Sequence, residues 1–310
     1  NDAFVRKYNS TGAILWTRQI GTNEDDQGWG VSADGLGSVY VTGKTDGDLD
    51  GGNAGSGDSF VTKFDSEGSL QWTTQFGTDV SEGGRSIAAV ALGNVFVSGQ
   101  AFGGIPAEGT DFDLFFSRLD SEGSLDWTRT LGTGTIDDSR GAAADGLGNV
   151  YFAGRLGWSI LDVDRKSGVA FLTKYDSAGN LQWYREEWQG RMSQGERVAT
   201  DGKGNVYVTG DWRDVPESDD PDSSNAFVSK YDAFGEYHWT HNIATPLHEH
   251  GQGISADGLG NVYFSGDGVY NPDPHQHGIF VGRISDVPEP AAIPTGCNSG
   301  LAVVCRRARR

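Results

Sequence analysis

An all-β fold built by repetition is what this sequence predicts, and three observations carry the prediction. Trp16, Trp72, Trp127, Trp183 and Trp239 stand 56, 55, 56 and 56 residues apart. Phe4, Phe60, Phe115, Phe171 and Phe227 keep the same separations, and so do Gly43, Gly99, Gly154, Gly210 and Gly266. Each interval holds two turn signals flanked by alternating apolar and polar residues, with no helical periodicity. Four short strands per repeat of this length are the pattern of a β-propeller. The prediction is five blades of four antiparallel strands. A fragment of a larger propeller is the alternative, and a β-solenoid fits less well, because its coils are shorter and need no hairpins.

Each unit divides into two hairpins. In "SFVTKFDSEGSLQWTTQFG" (59–77), Phe60, Thr62 and Phe64 fall on one face of a strand and Val61 and Lys63 on the other. "DSEG" (65–68) is the turn: Asp bonds nearby backbone and Gly takes the left-handed position. The same chemistry recurs at 120–123, 176–179 and 232–235. The second hairpin turns at "DGLG" or "DGKG", as in "DGLGNVYFAG" (145–154). The strand before that turn is made of small residues, as in "GVSAD" (30–34) and "GAAAD" (141–145). Blades converge at the hub, where only small side chains fit, so this strand is expected innermost and the Trp strand outermost. The N-terminus then supplies an outer half-blade and the C-terminus an inner half plus "IFVGRI" (279–284). Joining the two would close a ring over residues 1–285, although the third-strand pattern occurs at both ends and one copy is surplus.

The repeat resembles the SBBP bacterial β-propeller family in its "ADGLGNVYVTG" and "FVTKFD" blocks and its Trp strand. That resemblance covers roughly residues 1–285 and implies a scaffold on secreted or surface bacterial proteins, with no defined reaction. "VPEP" (287–290), an apolar stretch and "RRARR" (306–310) resemble a PEP-CTERM sorting tail, which implies processing at the membrane and only transient contact with it. Residues 286–310 are accordingly expected to be a disordered tail. The copy departs from the pattern at Pro294 and Asn298, and 291–305 is short for a bilayer.

Composition narrows the partners. A net charge of −19 repels nucleic acid and anionic lipid. It suits an exported protein that binds a protein or matrix glycan and attracts cations. Cys297 and Cys305 both lie in the tail, so the repeats carry no disulfide. The D-x-x-G turns make one face uniform, while long unlike loops make the other diverse, and a loop-borne function belongs there.

Two clusters on that face bear on chemistry. In "DGDLDGGNAGSGD" (46–58), Asp46, Asp48, Asp50 and Asp58 are the candidate ligands for calcium, the cofactor to expect, because alternate acids can aim several oxygens at one hard cation. A solvated acidic turn is the competing reading. In the last blade His248, His250, His275 and His277 could share a transition metal, with Glu249 as a base, although unconnected surface histidines also fit. No G-x-S-x-G elbow, P-loop or Rossmann fingerprint occurs, so no catalytic residue is assigned. The expected function is a non-catalytic, surface-displayed binding scaffold; the alternative is a metal-assisted hydrolase or lyase at the mouth of the central channel.

Overall fold

The computed structural model describes residues 1–91, 93–103, 112–157, 160, 168–187, 192–213, 224–243, 248–269, 277–285 and the backbone of 302–306. The first elements are β1 (Ala3–Tyr8) and β2 (Ile14–Ile20), which pair as a two-stranded sheet. Five four-stranded antiparallel sheets follow. The first holds β3 (Asp26–Ala33), β4 (Val39–Thr45), β5 (Asp58–Phe64) and β6 (Leu70–Phe76). The second holds β7 (Glu82–Ala89), β8 (Val95–Phe102), β9 (Phe112–Leu119) and β10 (Leu125–Leu131). The third holds β11 (Asp138–Ala144), β12 (Val150–Leu156), β13 (Val169–Tyr175) and β14 (Leu181–Glu187). The fourth holds β15 (Met192–Thr200), β16 (Val206–Arg213), β17 (Asn225–Tyr231) and β18 (Tyr237–Ile243). The last holds β19 (Glu249–Ala256), β20 (Asn261–Val269), β21 (His277–Ser285) and β22 (Ala302–Arg306).

Strand order is the one the side-chain sizes require. The small-residue strands β3, β7, β11, β15 and β19 are each first in their sheet, and neighbours in that series touch, so they form the hub. The Trp strands are last. The core lies between sheets, as one apolar layer per junction. Between the third and fourth four-stranded sheets Tyr151, Ala170, Leu172 and Trp183 of one blade meet Val198, Val208, Phe227 and Tyr231 of the next. Each complete blade thus presents a leading face of a second-strand Tyr or Phe and third-strand residues to the Phe-centred trailing face of its successor, and the half-blade presents Ala3, Val5, Trp16 and Ile20 in the same way.

A polar latch repeats with it. The indole N–H of Trp16, Trp72, Trp127 and Trp183 donates to a carbonyl in the following blade's D-x-x-G turn, Ser66, Ser121, Ser177 and Ala233, at 3.0–3.1 Å. Gly123 of such a turn has φ +87°, and a Cβ there would stand 2.7 Å from the Trp72 ring. Only glycine satisfies both the turn and the approach.

The two ends of the series differ from the expected closure. β1 and β2 stand as a separate half-blade packed on the first complete sheet, and the fourth place of the last sheet goes to β22 from the tail. β22 is an apolar, β-branched run, "AVVCR", suited to pair with the open edge of β21. No sheet among the described residues joins the two ends.

Candidate functional site

The innermost strands share one irregularity. Each carries a bulge where its pairing with the second strand slips by a residue: between Gly28 and Gly30, Gly84 and Ser86, Ser139 and Gly141, Gly195 and Arg197, and Gly251 and Gly253. The extra residues are Trp29, Arg85, Arg140, Glu196 and Gln252. A bulge re-aims a side chain, so five equivalent positions on a repeating frame present four different residue types, arginine twice, around the hub.

These groups are linked from blade to blade. The Arg85 guanidinium lies over the Trp29 ring at 4.0 Å, and its Nε donates to Gln100 Oε1 at 3.2 Å. Gln100 Nε2 in turn donates to the Asp137 carbonyl at 2.7 Å. Arg140 bridges Asp138 and Glu196, the second at 2.6 Å. Gln194 Nε2 donates to Glu196 Oε1 at 3.1 Å and to Asp211 Oδ1 at 2.9 Å. Asp211 reaches His250 Nδ1 at 3.4 Å, and Gln252 Nε2 donates to Asp267 Oδ1 at 2.8 Å.

Charge is unevenly distributed along this row. Burial works against the Arg140 cation, but Asp138 and Glu196 outweigh it and hold its pKa up. Burial raises Glu196, only partly offset by Arg140. The hydrogen bond to Asp211 raises His250 in spite of its burial. Arg85 differs: burial lowers its pKa, and no described carboxylate lies within ion-pairing distance. It is a half-buried cation held by an amide and an indole face, a pairing strengthened by desolvation.

The acids of 46–58 lie apart from this row, while His250 of the last blade belongs to it through Asp211. Asp46 pairs with Lys44 at 2.8 Å, Asp48 accepts from the Gly51 amide, Asp50 accepts from the Gln75 amide at 2.7 Å, and Asp58 Oδ2 takes Ala54 N and Gln75 Nε2, each at 2.8 Å. They serve four different sets of donors. Among the described residues no three His, Cys, Asp or Glu groups are positioned for one metal. His250 turns to Asp211 of the neighbouring blade and to Ser224 Oγ, 3.4 Å from its Nε2. His275 and the side chain of His277 lie outside the described residues. Glu249 is fully buried at the start of β19.

The hub row has no sequence motif of its own. Its only trace in the sequence is the extra residue inside motifs such as Gly28-Trp29-Gly30, because the residues themselves follow no pattern. No helix among the described residues is long and apolar enough to cross a membrane.

Comparison with known proteins agrees with the architecture. Residues 15–50 match the family model of the SBBP beta-propeller repeat. The regulatory protein FlaEY of Caulobacter vibrioides is 27% identical over 138 residues, 40% of this chain and 14% of that protein. An uncharacterized WD repeat-containing protein of Acanthamoeba polyphaga mimivirus is 24% identical over 291 residues, 84% of this chain and 19% of the relative. The chain thus spans under a fifth of either relative. Among solved structures, a puromycin hydrolase superposes with a TM-score of 0.50 at 13% identity, over 86% of this chain and 38% of that one, a likeness of fold alone. The sheets, their junctions and the matched repeat together give this chain the architecture of a β-propeller, in which residues 15–50 match the SBBP repeat.

Proposed function

We propose that the protein is a non-catalytic binding scaffold, exported to a bacterial surface, that holds a protein or matrix glycan at the mouth of its hub. The observation that carries this reading is the bulge row: one rigid frame offering Trp29, Arg85, Arg140, Glu196 and Gln252 from equivalent positions. Constant framework with variable tips is how recognition surfaces are built on repeat folds. Trp29 and Arg85 supply a ring face and a cation free of carboxylates, suited to a sugar ring or a planar acidic group. The acidic composition and the sorting-type tail support export. Surface plasmon resonance against purified envelope polysaccharides and surface proteins tests it: Trp29→Ala with Arg85→Ala should weaken binding by at least about tenfold, or roughly 1.4 kcal/mol. Unchanged affinity would remove the hub from the binding reading.

One arrangement favours a hydrolase instead. Ser224 Oγ, His250 and Asp211 stand in line, with 3.4 Å at each step. Such a line is the geometry of nucleophile, base and orienting acid, but Ser224 is only 5% exposed and these spacings are loose. Ester or peptide hydrolysis that disappears in both Ser224→Ala and His250→Ala would establish the catalytic reading and replace the scaffold.

A further inference from the structure

The first three junctions repeat an arrangement that the hub row does not account for. Two residues before the Phe of each third strand stand Asp2, Asp58 and Asp113; the later repeats have Val169 and Asn225 there. Where the next innermost strand begins stand Asp26, Glu82 and Asp137, followed by Ser193 and Glu249 in the later repeats. Acid therefore faces acid at three successive junctions and at neither of the later two. A glycine lies beside each pair: a Cβ on Gly21, Gly77 or Gly132 would run into the side chain of Asp2, Asp58 or Asp113.

The middle pair is the most enclosed. Asp58 is fully buried and Glu82 nearly so. Asp58 Oδ2 is satisfied by Gln75 and Ala54, and Glu82 Oε1 by the Thr78 hydroxyl. Their other oxygens, Asp58 Oδ1 and Glu82 Oε2, are buried and meet no hydrogen-bond donor. Both face the same spot beside Gly77, where a Cβ would collide with Asp58 Oδ1 and stand 2.8 Å from Glu82 Oε2. The nearby Lys44 ammonium is drawn to Asp46 instead. A cleft of about 220 Å³, lined in part by Gly77, Thr78 and Glu82, gives access from solvent. Two converging carboxylates without a counter-cation are costly in such a place.

We propose that Asp58 and Glu82 bind one calcium ion, which fastens the first complete blade to the second. Carboxylate oxygens are hard ligands, and calcium accepts irregular oxygen shells completed by a hydroxyl such as that of Thr78, by carbonyls and by water. Two carboxylates place the affinity in the weak range of extracellular modules, Kd about 10⁻⁴–10⁻³ M. Burial, reinforced by the charge of Asp58, raises Glu82, so a proton is the natural competitor for the same space.

The test is calorimetric titration of the natural chain with calcium chloride, together with thermal melts in millimolar calcium or EDTA. Calcium should release or absorb heat and raise Tm by about 2–4 °C, reversed by EDTA. Glu82→Gln should remove both responses, while Asp48→Ala, in the exposed loop, should retain them. Absence of heat and of a Tm shift in the natural chain overturns the proposal without any variant. An equal shift in Glu82→Gln places the ion elsewhere and overturns it too. Stabilisation by acid with no calcium response assigns the pair to a shared proton, which is also a refutation.

Discussion

The interior junctions and the two ends of the series are built from the same residues and have opposite fates. Phe60, Phe171, Phe227 and Phe280 are fully buried, whereas Phe4, at the same place in the half-blade, is 68% exposed. Ala170 and Val228 on interior leading faces are fully buried, while their counterparts in the last blade, Ile279 and Val281, are 65% and 53% exposed. A blade therefore does not bury its own apolar surface; the next blade does. Stability in such a molecule is approximately a sum of repeat and nearest-neighbour terms.

The sharpest way to break that comparison is a matched pair of truncations. Phe171→Ala should cost about 3–5 kcal/mol, because it opens a cavity in the buried layer between the second and third four-stranded sheets. Phe4→Ala should change stability by less than about 0.5 kcal/mol. Urea unfolding midpoints measure both, and similar losses would show that the half-blade face is covered in solution.

A second contrast is electrostatic. Burial lifts the Asp137 carboxyl to about 6, despite hydrogen bonds from Thr133 and Gly157. The folded state then binds a proton more tightly than the unfolded chain. Stability should rise as pH falls through 6 and level off below the ordinary carboxylate value. A shift of this size is worth on the order of 3 kcal/mol. Asp137→Asn should flatten the rise between pH 7.5 and pH 5, and an unchanged slope would assign it to other acids such as Glu82 and Glu196.

The smallest expected effect concerns the turns. Gly123→Ala must adopt a left-handed backbone and push against Trp72, so it should lose about 2 kcal/mol or more. Gly12 has the same backbone, φ +82°, with nothing within 4 Å of a Cβ. Gly12→Ala should therefore lose only the backbone part, about 1 kcal/mol. Equal losses would mean that the Trp latch adds nothing to the turn.

The frame was legible in the sequence because it is repeated: the Trp, Phe and Gly ladders, the small innermost strand and the D-x-x-G turns each state one local rule several times. The site was not, because it depends on what differs between repeats. Nothing local announces that Arg140 will reach Glu196, 56 residues on, or that His250 will turn to Asp211 on another sheet. The acids of 46–58 looked convergent by spacing, yet only Asp58 points inward, toward a partner in the next repeat. The tail run 302–306 read as a sorting segment, but its β-branched residues equally suit an open strand edge.

The indole latch has a direction. Trp16, Trp72, Trp127 and Trp183 each reach forward along the chain to the turn of the repeat that follows, so each of those repeats seats its successor. The molecule is vectorial in the way a row of overlapping roof tiles is: during synthesis each new repeat meets a finished template, and tension applied from the far end would part the tiles one at a time.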